Sequence, residues 1–160
     1  MKILISACLT GSKVRWNGVS KECLSLVSWA KENKIELVAV CPEDELLGTP
    51  RAPIRLIQMC EELVASYRGT NIKNKLEDKC HEILSRHPDA VGFIGVPRSP
   101  TCGIGVGVKN LGKVTKGFMH KACEIPSTES AYLKSEKNRE RFLLRINKFL
   151  REVTSQNETR

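Results

Sequence analysis

Thiolates are nucleophiles and metal ligands, and this chain of 160 residues carries seven cysteines. The number is odd, and the chain is not a small secreted scaffold, which argues against a disulfide framework. No Cys-x-x-Cys pair occurs, which argues against a zinc ribbon, a thioredoxin-type redox pair and a ferredoxin-type cluster run. Three cysteines stand apart. Cys8 directly follows an apolar, β-branched run at 2–7, and Cys41 directly follows Glu-Leu-Val-Ala-Val at 36–40. Cys102 lies six residues after a third such run at 90–96. In a parallel sheet the carboxyl ends of the strands share one edge, and ligands bind in the crevice outside it. Cys8, Cys41 and Cys102 are therefore expected to converge. Cys23 and Cys80 fall inside predicted helices, Cys60 in an ambiguous segment and Cys123 in an irregular one. All four read as small buried hydrophobes.

A structural zinc site normally uses four ligands. His81 and His87 lie in a predicted helix and at its end, and His120 lies in irregular sequence, so no histidine is well placed as a fourth. Three thiolates without a fourth protein ligand suit a cubane iron–sulfur cluster with one unliganded iron acting as a Lewis acid. The competing reading is three inert buried cysteines.

The elements that must position these residues follow from pattern. Strands are predicted at 2–7, 36–40 and 90–96. Helices are predicted at 21–33, with Ser20 as cap, and at 71–87, with Leu76, Cys80, Ile83 and Leu84 on one face. A third helix is predicted at about 129–153, where Phe142, Ile146, Phe149, Leu150 and Val153 form a stripe to pack on the sheet. Three prolines, a glycine and three acids make 42–53 a loop, and 97–107 is a second one. Segment 54–67 fits a helix or two short strands. Segment 109–126 reads as irregular, with a short strand near Val114. The order predicts one α/β domain over 1–153, a three-layer sandwich with a mostly parallel, Rossmann-like sheet and right-handed crossovers. Residues 154–160 form a polar, frayed tail.

At 41% hydrophobic and 28% charged, the chain reads as globular. The opening apolar run is too short for a secretory segment, and no run is long enough to span a bilayer. A cytoplasmic protein is expected. The formal charge of +8 is uneven: +2 over residues 1–108 and +6 over 109–160. A basic last third suits a polyanion, or is simply a solvated lysine-rich surface.

Specific strings then carry a resemblance. Ser6-Ala7-Cys8-Leu9-Thr10-Gly11 with Val14-Arg15-Trp16-Asn17-Gly18, Val40-Cys41-Pro42-Glu43, Thr49-Pro50-Arg51-Ala52-Pro53 and Arg98-Ser99-Pro100-Thr101-Cys102-Gly103 resemble, in order, motifs of the thiouracil desulfidase (TudS-like) family. The resemblance covers residues 1 to about 107. The last third departs from it, with Gly117-Phe118-Met119-His120-Lys121-Ala122-Cys123 and then a long basic helix.

The resemblance implies a [4Fe–4S] cluster on Cys8, Cys41 and Cys102 with one open iron. It implies non-redox removal of sulfur from a thiolated pyrimidine, released as hydrosulfide. It also implies a catalytic serine, matched by Ser99, and a catalytic glutamate, matched by Glu43 with Glu45 as rival. Glu43 would act as general base on water, and Ser99 would relay a proton and orient the substrate. Arg51 and Arg98 would bind the pyrimidine carbonyl or a phosphate, or neutralise the cluster's charge. Asn17 and Trp16 would line the base pocket or serve packing. Gly103, Gly105 and Gly107 would admit close backbone approach and N–H···S bonds.

Two other functions compete. One keeps the cluster and makes the protein a sulfide carrier for a tRNA-thiolating or other biosynthetic enzyme. The other is a basic RNA-binding module with structural cysteines, which an aromatic content of only 5% disfavours because stacking platforms are few.

Overall fold

A computed structural model describes residues 1–158 of the chain. Strand β1 (Lys2–Ser6) passes through a 3-10 turn at Ala7–Thr10 and a loop to helix α1 (Leu24–Glu32), then β2 (Glu36–Val40) and α2 (Pro42–Leu47). Strands β3 (Arg55–Met59), β4 (Glu62–Tyr67) and β5 (Thr70–Asn71) precede helix α3 (Lys73–Ser85) and β6 (Ala90–Gly95). The hairpin β7 (Val106–Val108) and β8 (Lys113–Thr115) is followed by α4 (Phe118–Ala122), β9 (Ser127–Glu129), a 3-10 turn at Tyr132–Lys134 and α5 (Glu136–Glu158).

The main sheet has the order β2-β1-β6-β9, and all its pairings are parallel. Strand β1 is central, and its Ile3, Leu4 and Ile5 are fully buried, as expected of a strand covered on both faces. Side chains alternate across β6, so neighbouring residues report opposite layers. At Gly92 an added Cβ would stand 3.1 Å from Ile146 Cδ1 and 3.3 Å from Phe142 Cζ, so α5 packs on that face without room for a side chain. Phe93 points the other way and meets the ring of His120 in α4 at 5.0 Å. Arg139 of α5 lies over the Trp29 ring of α1, and α3 packs against α2 and α4. The result is a three-layer α/β sandwich, as the element order predicts.

Beside it, β3, β4 and β5 form an antiparallel sheet, resolving segment 54–67 as strands. The β7–β8 hairpin joins its edge through Lys109, which exchanges backbone bonds with Leu56 and Gln58 at 2.9 Å each.

Several expectations are corrected. The predicted loop at 42–53 opens with α2. Pro42 stands at its first position, where a missing N–H costs nothing, and Glu43, Asp44 and Glu45 complement the dipole. Helix α1 starts at Leu24 rather than Lys21, with Cys23 and not Ser20 at the N-cap position. Cys60 is exposed at the β3–β4 turn rather than buried. Helix α5 begins at Glu136 and continues to Glu158, so most of the expected frayed tail is helical; 159–160 lie outside the described residues. Of its predicted stripe only Phe142 and Ile146 are buried, while Leu150 and Val153 are exposed because the helix runs on beyond the sheet. The irregular segment 109–126 holds α4, and the fourth parallel strand, β9, follows it. Among the described residues no helix is long and apolar enough to cross a membrane.

Candidate active site

The chain steps from β1 to β2 on one side and then across to β6 on the other. That reversal opens a crevice at the carboxyl ends of the central strands. A cavity of about 320 Å³ lies there. Cys8, in the turn after β1, Cys41, immediately after β2, and Cys102, in the loop after β6, all line it, and all are free thiols. Ser99, Glu43, Arg51 and Arg98 line it too.

Glu43 is the hub of the polar wall. Its Oε2 accepts a bond from Arg51 Nη2 at 2.9 Å. Its Oε1 accepts from Thr101 Oγ1 at 2.8 Å and Ser99 Oγ at 3.3 Å. Ser99 Oγ in turn accepts the backbone N–H groups of Thr101 (3.2 Å) and Cys102 (3.0 Å). With both lone pairs engaged, its proton points to Glu43. The turn that carries Cys102 is thereby tied to the carboxylate on α2.

Arg51 is buried. Its Nη1 donates to the carbonyls of Val14 and Gly48 at 3.0 Å each and to Thr49 Oγ1 at 2.9 Å, while Nε has no hydrogen-bond partner among the described residues. The guanidinium is thus committed to the cavity wall. Arg98 is different: it is exposed at the rim and holds a left-handed backbone (φ 64), a conformation that costs a non-glycine residue energy. Arg15 and Lys21 also line the cavity. Among the described residues Arg15, Lys21 and Arg98 make no ion pair.

Burial raises all three thiol pKa values. Cys41 is pushed up to about 11. Cys8 is raised by burial and partly held down by Arg15 and Lys21. Cys102 is raised well above the ordinary value by burial, opposed by a hydrogen bond from Ser6. Without ligation these groups are thiols; a metal must displace their protons. No three His, Cys, Asp or Glu side chains among the described residues are grouped to hold a single metal ion. The donor set instead fits a polynuclear group: three sulfurs from separate loops around one cavity, with cations beside them to balance thiolate charge.

The structure separates the other candidates. Glu45 leaves the cavity and pairs with Arg86 at 2.5 Å. Asn17 is exposed and is not among the cavity-lining residues. Sequence reasoning did not single out Ser6, Thr101, Lys21 or His120. Thr101 stands inside the Arg-Ser-Pro-Thr-Cys-Gly string, so its position beside Ser99 was a usable signal. His120 carried none, because its contact is across 18 residues: Nε2 meets the carbonyl of Cys102 at 3.0 Å.

A family model described as 2-thiouracil desulfurase matches residues 3–130, a span that includes the three cysteines, Glu43 and Ser99. A solved structure of a [4Fe–4S]-dependent thiouracil desulfidase, TudS, shares the fold at a TM-score of 0.65 and 24% identity, covering 82% of this chain and 92% of the other. A search among curated proteins finds no match. By the extent of the family match, the chain belongs to the 2-thiouracil desulfurase family.

Proposed function

We propose that the protein is a non-redox desulfidase that converts the thiocarbonyl of a thiolated pyrimidine to a carbonyl and releases hydrosulfide, using a [4Fe–4S] cluster held by Cys8, Cys41 and Cys102. The supporting observation is the meeting of these three thiols and the Ser99–Glu43 pair in one cavity at the sheet's carboxyl edge. Bound there, the cluster supplies a thiophilic Lewis acid with one iron free of protein ligands.

The rest is the work of the chain. Of Glu43's two oxygens, Oε1 is occupied by Ser99 and Thr101, while among the described residues Oε2 accepts only Arg51. Oε2 therefore keeps acceptor capacity for a water. Glu43 takes a proton from that water as its oxygen adds to the thiocarbonyl carbon. As the carbon–sulfur bond breaks, Glu43 passes the proton taken from water to the departing sulfur, while Ser99, whose Oγ accepts two backbone N–H groups and donates to Oε1, holds the carboxyl group in place. Water supplies the oxygen, hydrosulfide carries away the sulfur and one proton is released; no electrons are exchanged. Arg98, at the rim without an ion-pair partner, holds the pyrimidine's polar edge.

Anaerobic reconstitution with ferrous iron and sulfide tests this. The expected result is a broad sulfur-to-iron absorption lost in Cys8→Ala, Cys41→Ala and Cys102→Ala and kept in Cys23→Ala, with 4-thiouracil consumed and sulfide released. Tight binding of zinc without iron overturns the cluster. A loaded protein that leaves 4-thiouracil intact overturns the reaction.

A further inference from the structure

Among the described residues Trp16 is the one aromatic lining the cavity, and it is 45% exposed. Among the described residues its indole makes no ring or cation–π contact, whereas Trp29 is buried under Arg139. An exposed indole costs hydrophobic free energy unless something covers it.

The backbone that carries it is fixed. Gly18 N–H bonds to Arg15 O at 2.8 Å and Arg15 N–H to Val19 O at 3.2 Å, closing a turn around Trp16. Gly18 adopts φ +74, which the turn requires. Arg51 N–H donates to Trp16 O at 2.8 Å, and the Arg51 guanidinium bonds Val14 O and Glu43 Oε2. One residue thus registers the indole turn against the Glu43 carboxylate in the same cavity. Around them Val14, Pro53, Ile54 and Pro97 supply apolar surface.

We propose that Trp16 is a specificity-determining platform on which the substrate's planar six-membered ring stacks, selecting heteroaromatic thiocarbonyls over aliphatic thioamides. This rests on the desulfidase reading for the identity of the reacting group. Base–aromatic stacking is strong enough for its loss to cost about tenfold in binding.

The chain has two tryptophans, so fluorescence reads the site. Uracil is titrated into the cluster-loaded protein. Emission should quench saturably in wild type and not in Trp16→Phe. In kinetics with 4-thiouracil, Trp16→Leu should raise KM about tenfold with the effect on KM rather than kcat, and Trp16→Phe should restore most of it. Cluster absorption in both variants checks that they fold. An unchanged KM in Trp16→Leu, or identical quenching in Trp16→Phe, overturns the platform and leaves the desulfidase reading intact. If wild type consumes no 4-thiouracil yet uracil quenches Trp16, the platform stands and the desulfidase reading falls.

Discussion

The Nε2 of His120 lies 3.0 Å from the carbonyl oxygen of Cys102, in the buried layer under the cavity. A carbonyl only accepts, so the ring proton resides on Nε2, and the bare Nδ1 is buried with no partner among the described residues. Gly95 completes the arrangement, since an added Cβ would stand 1.7 Å from Cys102 O and 2.7 Å from His120 Nε2. Helix α4 thus acts as a brace for the cysteine turn. Its entry is equally tight: Met119 N–H bonds Thr101 O at 2.9 Å.

His120→Phe should keep the fold but lower stability by about 1–3 kcal/mol, the cost of an orphaned buried carbonyl. In cluster-free protein Cys102 should then react faster with a thiol reagent. Gly95→Ala should cost about 3 kcal/mol or more, because backbone must move. Denaturant melts and thiol-labelling rates check both, and equal labelling of Cys102 in wild type and His120→Phe would exclude the brace.

Stability of the cluster-free protein should fall at both ends of the pH scale. Burial lowers the His120 pKa from 6.5 to about 4. The folded state thus resists the proton that the unfolded state accepts, and its contribution is present above pH 6.5 and lost as pH falls toward 4. Burial pushes the Cys123 thiol from 9.0 up to about 12. That contribution is complete below pH 9 and is lost as pH rises toward 12, at about 1.4 kcal/mol per pH unit for each such thiol. Urea midpoints across pH should show both limbs. His120→Phe should flatten only the acid limb, and Cys123→Ala only the alkaline one.

Thr101→Val tests the donor set on Glu43. Thr101 is fully buried and gives Glu43 Oε1 its shortest hydroxyl bond, 2.8 Å. Valine has nearly the same shape and no donor. The variant should assemble its cluster normally and lose about tenfold in kcat, the value of one charge-assisted bond. Steady-state kinetics beside the cluster spectrum checks this, and an unchanged kcat would show that Ser99 and Arg51 suffice to orient the carboxylate.

The sheet edge was legible because β1, β2 and β6 are short, apolar and β-branched, and their carboxyl ends each lead to a cysteine. Strand β9 was not, since Ser-Thr-Glu has no apolar period and is specified by pairing with Phe93, Ile94 and Gly95. Helix α2 was hidden by its prolines. Pro42 sits where a helix tolerates it, while Pro50 and Pro53 lie beyond the Gly48 that ends it. Glu43 and Ser99 were found as separate motif residues, but their mutual bond spans 56 residues and is a property of the fold alone. Asn17 shared the motif string with Trp16, yet the turn exposes it away from the cavity lining.

Arg51 and Glu43 should prove inseparable. Their side chains are only 2% and 12% exposed, and removing one leaves the other's charge buried and unpaired. Arg51→Met should therefore cost about 3–5 kcal/mol. It also frees Val14 O, Gly48 O and Thr49 Oγ1, which loosens the turn carrying Trp16. Arg51→Lys should recover little, because an ammonium cannot reproduce a fork that serves four acceptors. Glu43→Gln keeps the shape and an acceptor, so it should cost less than Arg51→Met while abolishing turnover through loss of the base. Pairing Arg51→Met with Glu43→Leu should be less destabilising than the two single costs added, since no lone charge then remains. Chemical denaturation of Arg51→Met, Glu43→Leu and their double variant against wild type measures the coupling. Strict additivity would mean that Arg51 acts through its carbonyl contacts alone and that the ion pair with Glu43 contributes nothing to the fold.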